Sequence, residues 1–560
     1  MNPIFKTGFE ALPFELCRLI TEETESSSDL CALTLVSKHC YAAFNYSLYE
    51  EITSAALFTL GLTEKARLPL TGPHPASYVK SMVFDLLDDE ARTYVLGGGP
   101  FQRNGITSKR KKQQQEKKSL DPNTLQKLFT AAVSNIMFYA PRASINSLYY
   151  DCKALSLPQV FGNINPAVFS LTDLSLGFHV LNTNSRKTMA TIESLLSASL
   201  TYLDLNFLEH GEPDLFVLAK ILRKTQSNCP NLKKLCFNSP SSWLPPTKKS
   251  AQPIQAVFNE HTFILPRLES LCLTGYDESH MILEDCVPFL TRHPHITDFE
   301  FAQADGISPP AVASSCTESI LSNLVRLKGS ANDCVALCGT GTRPVETIVL
   351  TTEVRSACTV GSDALVLALQ NTKTLKRLFI HDLRFFTGGE WVGLEIHLLR
   401  NIASACPALT HFQCALEVEG EHAILMLQLV YAIIAAKLRH LRHFKISICV
   451  GDVALTEESG PEWNSKVRDP SHPLYDLYKA TIEELDTAVP RHPVLETAQI
   501  RLLGRPVEWS TEPWRPFLVA AVYIVRSRAD ASDAQGGFVE AGVCDRMEFQ
   551  MDEFREYGSS

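Results

Sequence analysis

Residues 268–273 read Leu268-Glu-Ser-Leu271-Cys-Leu273, an apolar-x-x-apolar-x-apolar pattern that the chain repeats many times. Clear copies lie on both sides: Leu171-Thr-Asp-Leu174-Ser-Leu176, Leu200-Thr-Tyr-Leu203-Asp-Leu205, Leu232-Lys-Lys-Leu235-Cys-Phe237, Ile296-Thr-Asp-Phe299-Glu-Phe301, Val345-Glu-Thr-Ile348-Val-Leu350, Leu375-Lys-Arg-Leu378-Phe-Ile380, Leu409-Thr-His-Phe412-Gln-Cys414 and Leu441-Arg-His-Phe444-Lys-Ile446. Weaker copies begin at Val79, Ile145, Leu324 and Leu495. The alternation in the last positions predicts a short strand with one face turned inward. Between Ile145 and Leu441, 296 residues hold ten intervals, with spacings from 21 (Leu324 to Val345) to 36 (Leu232 to Leu268).

The segments between copies must carry the chain back to the next strand. Leu215-Phe-Val-Leu-Ala-Lys-Ile-Leu-Arg and Asp363-Ala-Leu-Val-Leu-Ala-Leu-Gln read as amphipathic helices that do this. Several end at a proline that stops the helix and feeds the strand: Asn228-Cys229-Pro230, Arg292-His293-Pro294, Ala405-Cys406-Pro407 and Arg491-His492-Pro493. One such unit cannot bury its apolar face alone, but stacked units bury a continuous ladder. The expected fold class is therefore α/β, a repeat solenoid with parallel strands on the concave face and helices outside. The array resembles leucine-rich repeats of the irregular, cysteine-containing type.

The first 54 residues have another pattern. Pro13 to about Glu22, Asp29–Val36 and Ser37 to about Leu48 read as three short helices, with Leu12, Leu16 and Ile20 on one stripe. So many aliphatics in about 40 residues exceed what a small module buries alone, which points to a partner. Leu12-Pro13-x-Glu15-Leu16, Asp29-Leu30, Val36-Ser37-Lys38 and Leu48-Tyr49, in this order, resemble an F-box. The resemblance implies docking on a Skp-type adaptor of a cullin–RING ubiquitin ligase, with an unknown protein substrate presented by the repeats. Residues matching the family's adaptor-facing positions are Leu12, Pro13, Leu16, Ile20, Leu33, Val36, Leu48 and Tyr49. One departure is that His39-Cys40 precede Tyr41 where the family often has an aromatic just after Val-Ser-Lys. The alternative is a non-ligase repeat scaffold whose N-terminal helices cap the solenoid.

The expected organisation is an F-box-like motif at 8–54, the solenoid at 75–505 and a polar tail at 530–560. Loop insertions are expected near 97–120, 240–253 and 451–490, the last with a helix at about Leu474–Val489. The first insertion carries the basic run Lys109-Arg110-Lys111-Lys112.

In a repeat sheet the non-apolar signature positions face away from the core. The early and middle rungs contribute Asp173, Tyr202, Asp204, Asn206, Asp298 and Glu300; later rungs contribute Arg326, Lys328, Arg377, His381, His411, His443 and Lys445. That face runs from acidic to basic, so the later residues are candidates to hold a substrate bearing acidic or phosphorylated groups.

Composition narrows the function classes. Against 62 acidic residues there are 52 basic ones, a net charge of −10, which argues against a general nucleic-acid binder. The longest apolar run, Ala423–Ala436, has 14 residues interrupted by Gln428, short of the roughly 20 a membrane span needs. No signal-peptide core opens the sequence, and Cys236, Cys272, Cys414 and Cys449 stand where the pattern wants aliphatics. The 16 cysteines therefore read as reduced core residues of a cytoplasmic or nuclear protein. There is no Gly-x-x-x-x-Gly-Lys-Ser/Thr, Gly-x-Ser-x-Gly, His-Glu-x-x-His or Cys-x-x-Cys motif, and Cys334 and Cys338 lack a second pair. The reading is a non-catalytic chain with no cofactor and no metal.

Overall fold

In each repeat an apolar strand pairs in parallel with the strand of the repeat before it, and a helix or turn brings the chain back. The computed structural model describes residues 12 to 541 except 23, 25–26, 54–74, 87–121, 142–143, 153–155, 162–168, 182–184, 207–214, 240–252, 276–282, 304–317, 352–360, 381–384, 388–389, 393, 395, 420–422, 456–474, 478, 481–482, 484–491, 493, 507–516 and 527–537. The chain divides into two compact units, one up to about residue 268 and one from Glu269 onward.

The first unit opens with three helices, α1 (Phe14–Glu22), α2 (Ser27–Thr34) and α3 (Lys38–Glu50). Its strands are β1 (Glu51–Thr53), β2 (Ser81–Leu86), β3 (Ile145–Cys152), β4 (Phe169–Leu176), β5 (Tyr202–Asn206) and β6 (Lys234–Ser239), each parallel to the next. Two inward ladders run through it in register. Leu148, Leu174, Leu203 and Leu235 form one; Tyr150, Leu176, Leu205 and Phe237 form the other, and all are buried. Each enclosed aliphatic contributes roughly 1.5–3 kcal/mol.

Helix Leu215–Asn228 closes one repeat by burying Val217, Leu218, Ile221 and Leu222. Thr225 Oγ1 donates to Ile221 O near its end, and the Asn231 amide donates to Ala198 O of the previous repeat at 2.7 Å. Thr172 and Thr201 make the same kind of cross-repeat bond, to Asn146 O and Thr172 O.

The second unit carries β7 (Ser270–Gly275), β8 (Asp298–Gln303), β9 (Arg326–Gly329), β10 (Thr347–Leu350), β11 (Arg377–Ile380), β14 (His411–Glu419), β15 (His443–Leu455) and β16 (Thr497–Pro506), again parallel in sequence. A separate hairpin, β12 (Phe385–Thr387) with β13 (Glu390–Val392), interrupts the series. Leu271, Phe299, Leu327, Ile348, Leu378, Phe412, Phe444 and Ala498 form its first inward ladder, all buried. In the next ladder Gly329 takes an aliphatic's place, because a Cβ there would stand 2.9 Å from the Phe301 carbonyl oxygen.

The residue before the turn proline is buried at several repeats. Cys229 packs as a thiol, His293 meets Phe289 O, Arg343 donates to Ile320 O and Leu337 O, and His492 meets Leu438 O. Free helix-end carbonyls are satisfied there by side chains.

Three expectations change. The sheet continues past residue 505: β17 (Phe517–Arg526) pairs antiparallel with β16, and β18 (Phe538–Ala541) pairs antiparallel with β17. Residues 538–541 of the expected tail are thus strand. Residues 451–455 of the expected third insertion belong to β15. The loops near 97–120 and 240–252, His381 and most of Leu474–Val489 lie outside the described residues. No helix among the described residues is long and apolar enough to cross a membrane.

Candidate functional site

At the N-terminus, Pro13 starts α1 with its carbonyl accepting from the amides of Leu16 and Cys17. Ser37 caps α3, its hydroxyl accepting from Cys40 N at 3.1 Å. His39 Nε2 meets Leu12 O at 3.0 Å, and Ser47 donates to Thr21, so α3 is tied to both ends of α1. The core between the helices is small: Cys17, Cys40 and Phe44 are fully buried, with Leu12, Ile20, Leu33 and Ala43 packed on them.

This divides the eight residues matched to adaptor-facing positions. Leu12, Ile20 and Leu33 are partly buried and pack on the module's own core. Pro13 is exposed, Leu16 is 45% exposed and Val36 58% exposed. Leu48 and Tyr49 are half-buried, and burial, with Tyr41 and Cys31 nearby, pushes the Tyr49 phenol up. Two neighbours absent from the sequence reading join the outward set, Leu19 at 56% and Leu35 at 80% exposed. Leu16 and Leu19 lie three apart on α1, a spacing that puts them on one face and could have revealed the second. Leu16, Leu19, Leu35 and Val36 are thus four large aliphatics left in water on this small module.

Helix α3 passes into β1 without a loop, and Ile52 of β1 is fully buried. Lys80, just before β2, fastens the junction. Its ammonium lies 2.8 Å from Glu50 Oε1 and 4.7 Å from the Tyr46 ring centre, and its backbone amide donates to Glu50 O.

The sheet face turned away from the helices is the other candidate. In the first unit its acids are internally engaged. Thr172 donates to Asp173, and Ser175 donates to Asp204, whose carboxyl burial pushes up to about 6. Lys234 stands over the Tyr202 ring at 5.1 Å. Asp151 Oδ1 lies 3.1 Å from both the amide and Nδ1 of His179. Gly177 makes room for that carboxylate, since a Cβ there would fall 1.9 Å from Asp151 Cγ.

In the second unit the expected basic residues separate. Arg326 pairs with Asp298 and Lys328 with Glu300, each from the preceding strand, so these two cations are neutralised. Arg377 has no carboxylate partner among the described residues; its Nε donates to Thr347 Oγ1 at 2.8 Å. Arg377, His411 and His443 are register partners on β11, β14 and β15. The two imidazoles lie 4.3 Å apart at 30°. Lys445 is half-buried one rung on, opposite Gln413. Among the described residues no group of three or more His, Cys, Asp and Glu is placed to hold a metal.

No protein-family model matches the chain, and no curated protein matches it. Among solved structures, the leucine-rich repeat-containing protein LegL7 from Legionella pneumophila is similar, at 14% identity over 63% of this chain and 94% of that one, with a TM-score of 0.33.

Proposed function

We propose that the chain is a substrate-recruiting subunit of a Skp–cullin–F-box type ubiquitin ligase, without catalytic activity of its own. The observation that carries this reading is the division of labour in α1–α3. One set of apolar residues makes a private core, while Leu16, Leu19, Leu35 and Val36 are left in water beside the F-box-like sequence. The outward strand face then serves as the surface for the protein substrate.

The test is capture of a purified Skp-type adaptor by the full chain, beside a Leu16→Asp/Leu19→Asp variant. Binding at micromolar strength or better is expected, with at least a tenfold loss in the variant. Failure of the folded wild-type chain to bind would sink the ligase reading. A scaffold whose helices cap the sheet is the second reading, favoured by the direct passage of α3 into the buried Ile52 of β1.

A further inference from the structure

Thr347, Arg377, His411, His443 and Thr497 are successive register partners on five parallel strands, β10, β11, β14, β15 and β16. Neighbouring strands lie about 4.8 Å apart, so the three nitrogen-bearing groups at the centre span about 10 Å. We propose that Arg377, His411 and His443 bind a phosphoryl group carried by a partner protein, and that binding takes up a proton at His411. The inference names the chemistry of the partner surface in the ligase reading and rests on it.

The guanidinium is set by its bond to Thr347, which holds Nε and leaves the other two nitrogens for an oxyanion. Arg326 and Lys328, by contrast, are both paired with carboxylates of the preceding strand.

His411 supplies the switch. Thr410 Oγ1 donates to Lys376 O at 3.1 Å, so its 2.9 Å contact with His411 Nδ1 is made by the ring's N–H. The neutral ring then presents a bare lone pair at Nε2, which repels an oxyanion; protonation turns Nε2 into a donor. The charged groups facing the ring are Arg377, His443, Arg442 and Glu496. Burial first, then His443 and Arg377, hold His411 down to about 4, against a weak opposing pull from Glu496. An oxyanion seated on Arg377 reverses that field and makes the protonated ring favourable.

His443 is held by Thr497 Oγ1 at 2.9 Å. Its Nε2 lies 3.7 Å from Glu496, which also faces Arg442 at 3.7 Å. Glu496 therefore competes with a ligand at this end, and the ligand's strongest contacts fall on Arg377 and His411. A phosphoryl group suits two adjoining positive charges better than one carboxylate does, because it brings close to two negative charges at neutral pH.

The test uses the full chain with histidine-selective 15N labelling and titrates ring signals with inorganic phosphate, O-phosphoserine and glutamate. His411 is expected to titrate at least one pH unit higher with saturating phosphate. Phosphate affinity should rise about threefold from pH 6 to 4.5, as a one-unit rise from about 4 requires, fall at least tenfold in Arg377→Gln, and rise in Glu496→Gln. An unmoved His411, or the same movement in a folded Arg377→Gln, overturns the proposal. Glutamate binding as well as O-phosphoserine overturns its phosphoryl part and points to a plain acidic segment. Phosphate binding needs no adaptor, so loss of adaptor capture with phosphate binding intact sinks only the ligase reading, and the reverse sinks only this one.

Discussion

His293 lies flat against Phe289, ring centres 4.0 Å apart, with Nδ1 2.7 Å from the Phe289 carbonyl oxygen. Burial pushes its pKa down to about 4, helped by His295 and Arg292 and opposed by that backbone contact. The unfolded chain accepts the proton near pH 6.5 while the folded one refuses it until about 4. Stability from this residue is therefore complete above pH 6.5 and is lost as pH falls toward 4, by up to about 3 kcal/mol. Asp204 and Asp333, both pushed up to about 6 by burial, act with the opposite sign, losing stability as pH rises from 3.8 through 6. The informative readout is thus a difference. Chemical denaturation of His293→Gln and wild type at pH 4.5 and 7.5 should show the variant losing less on acidification. Equal losses would mean that His293 is not held neutral.

At the scale of elements, the repeated signature located the strands from β2 to β11 and β14 to β16, because each carries the inward pair of residues that the pattern specifies, with Gly329 of β9 in an aliphatic's place. Strands β17 and β18 escaped it for a physical reason. Phe517–Arg526 is a continuous apolar run joined antiparallel, so it lacks the alternation of apolar and polar residues by which the signature stands out. The helices show a second limit. Leu12, Leu16 and Ile20 share one stripe in the sequence, yet the structure turns Leu12 and Ile20 inward and Leu16 out, because the core is built on the sulfur residues Cys17 and Cys40 with Phe44. With so few fully buried residues, Phe44→Ala should cost about 3–5 kcal/mol and unfold the helices locally. Hydrogen exchange should then lose protection over α1–α3 and keep it over β3–β6. Protection retained in α1–α3 would show that the helices rest on something other than this core.

Across the whole molecule, each rung meets chiefly the rung before and the rung after. Stability in such an array is a sum of local terms, so damage spreads to neighbours and then fades. Phe444 stacks on Phe412 at 6.3 Å and meets Tyr431 edge-on at 6.2 Å. Phe444→Ala should lower amide protection in β14, β15 and β16 while β3–β5 keep theirs; uniform loss along the chain would contradict nearest-neighbour coupling. The same logic explains why the basic candidates could not be sorted from sequence. Asp298 precedes Arg326 by 28 residues, and only the strand register brings them together. Arg377 looks no different in the sequence, but its register partners are Thr347 and His411 and not acids.

The passage of α3 into β1 makes the length of that helix an angular gauge. Each residue added to a helix turns everything before it by about 100° and advances it about 1.5 Å. One inserted alanine ahead of Tyr46 would swing Leu16 and Leu19 to a new bearing relative to β2, at the cost of the Ser47–Thr21 bond. The direction in which Leu16 and Leu19 face, relative to β2, is thus written in the residue count from Ser37 to Ile52.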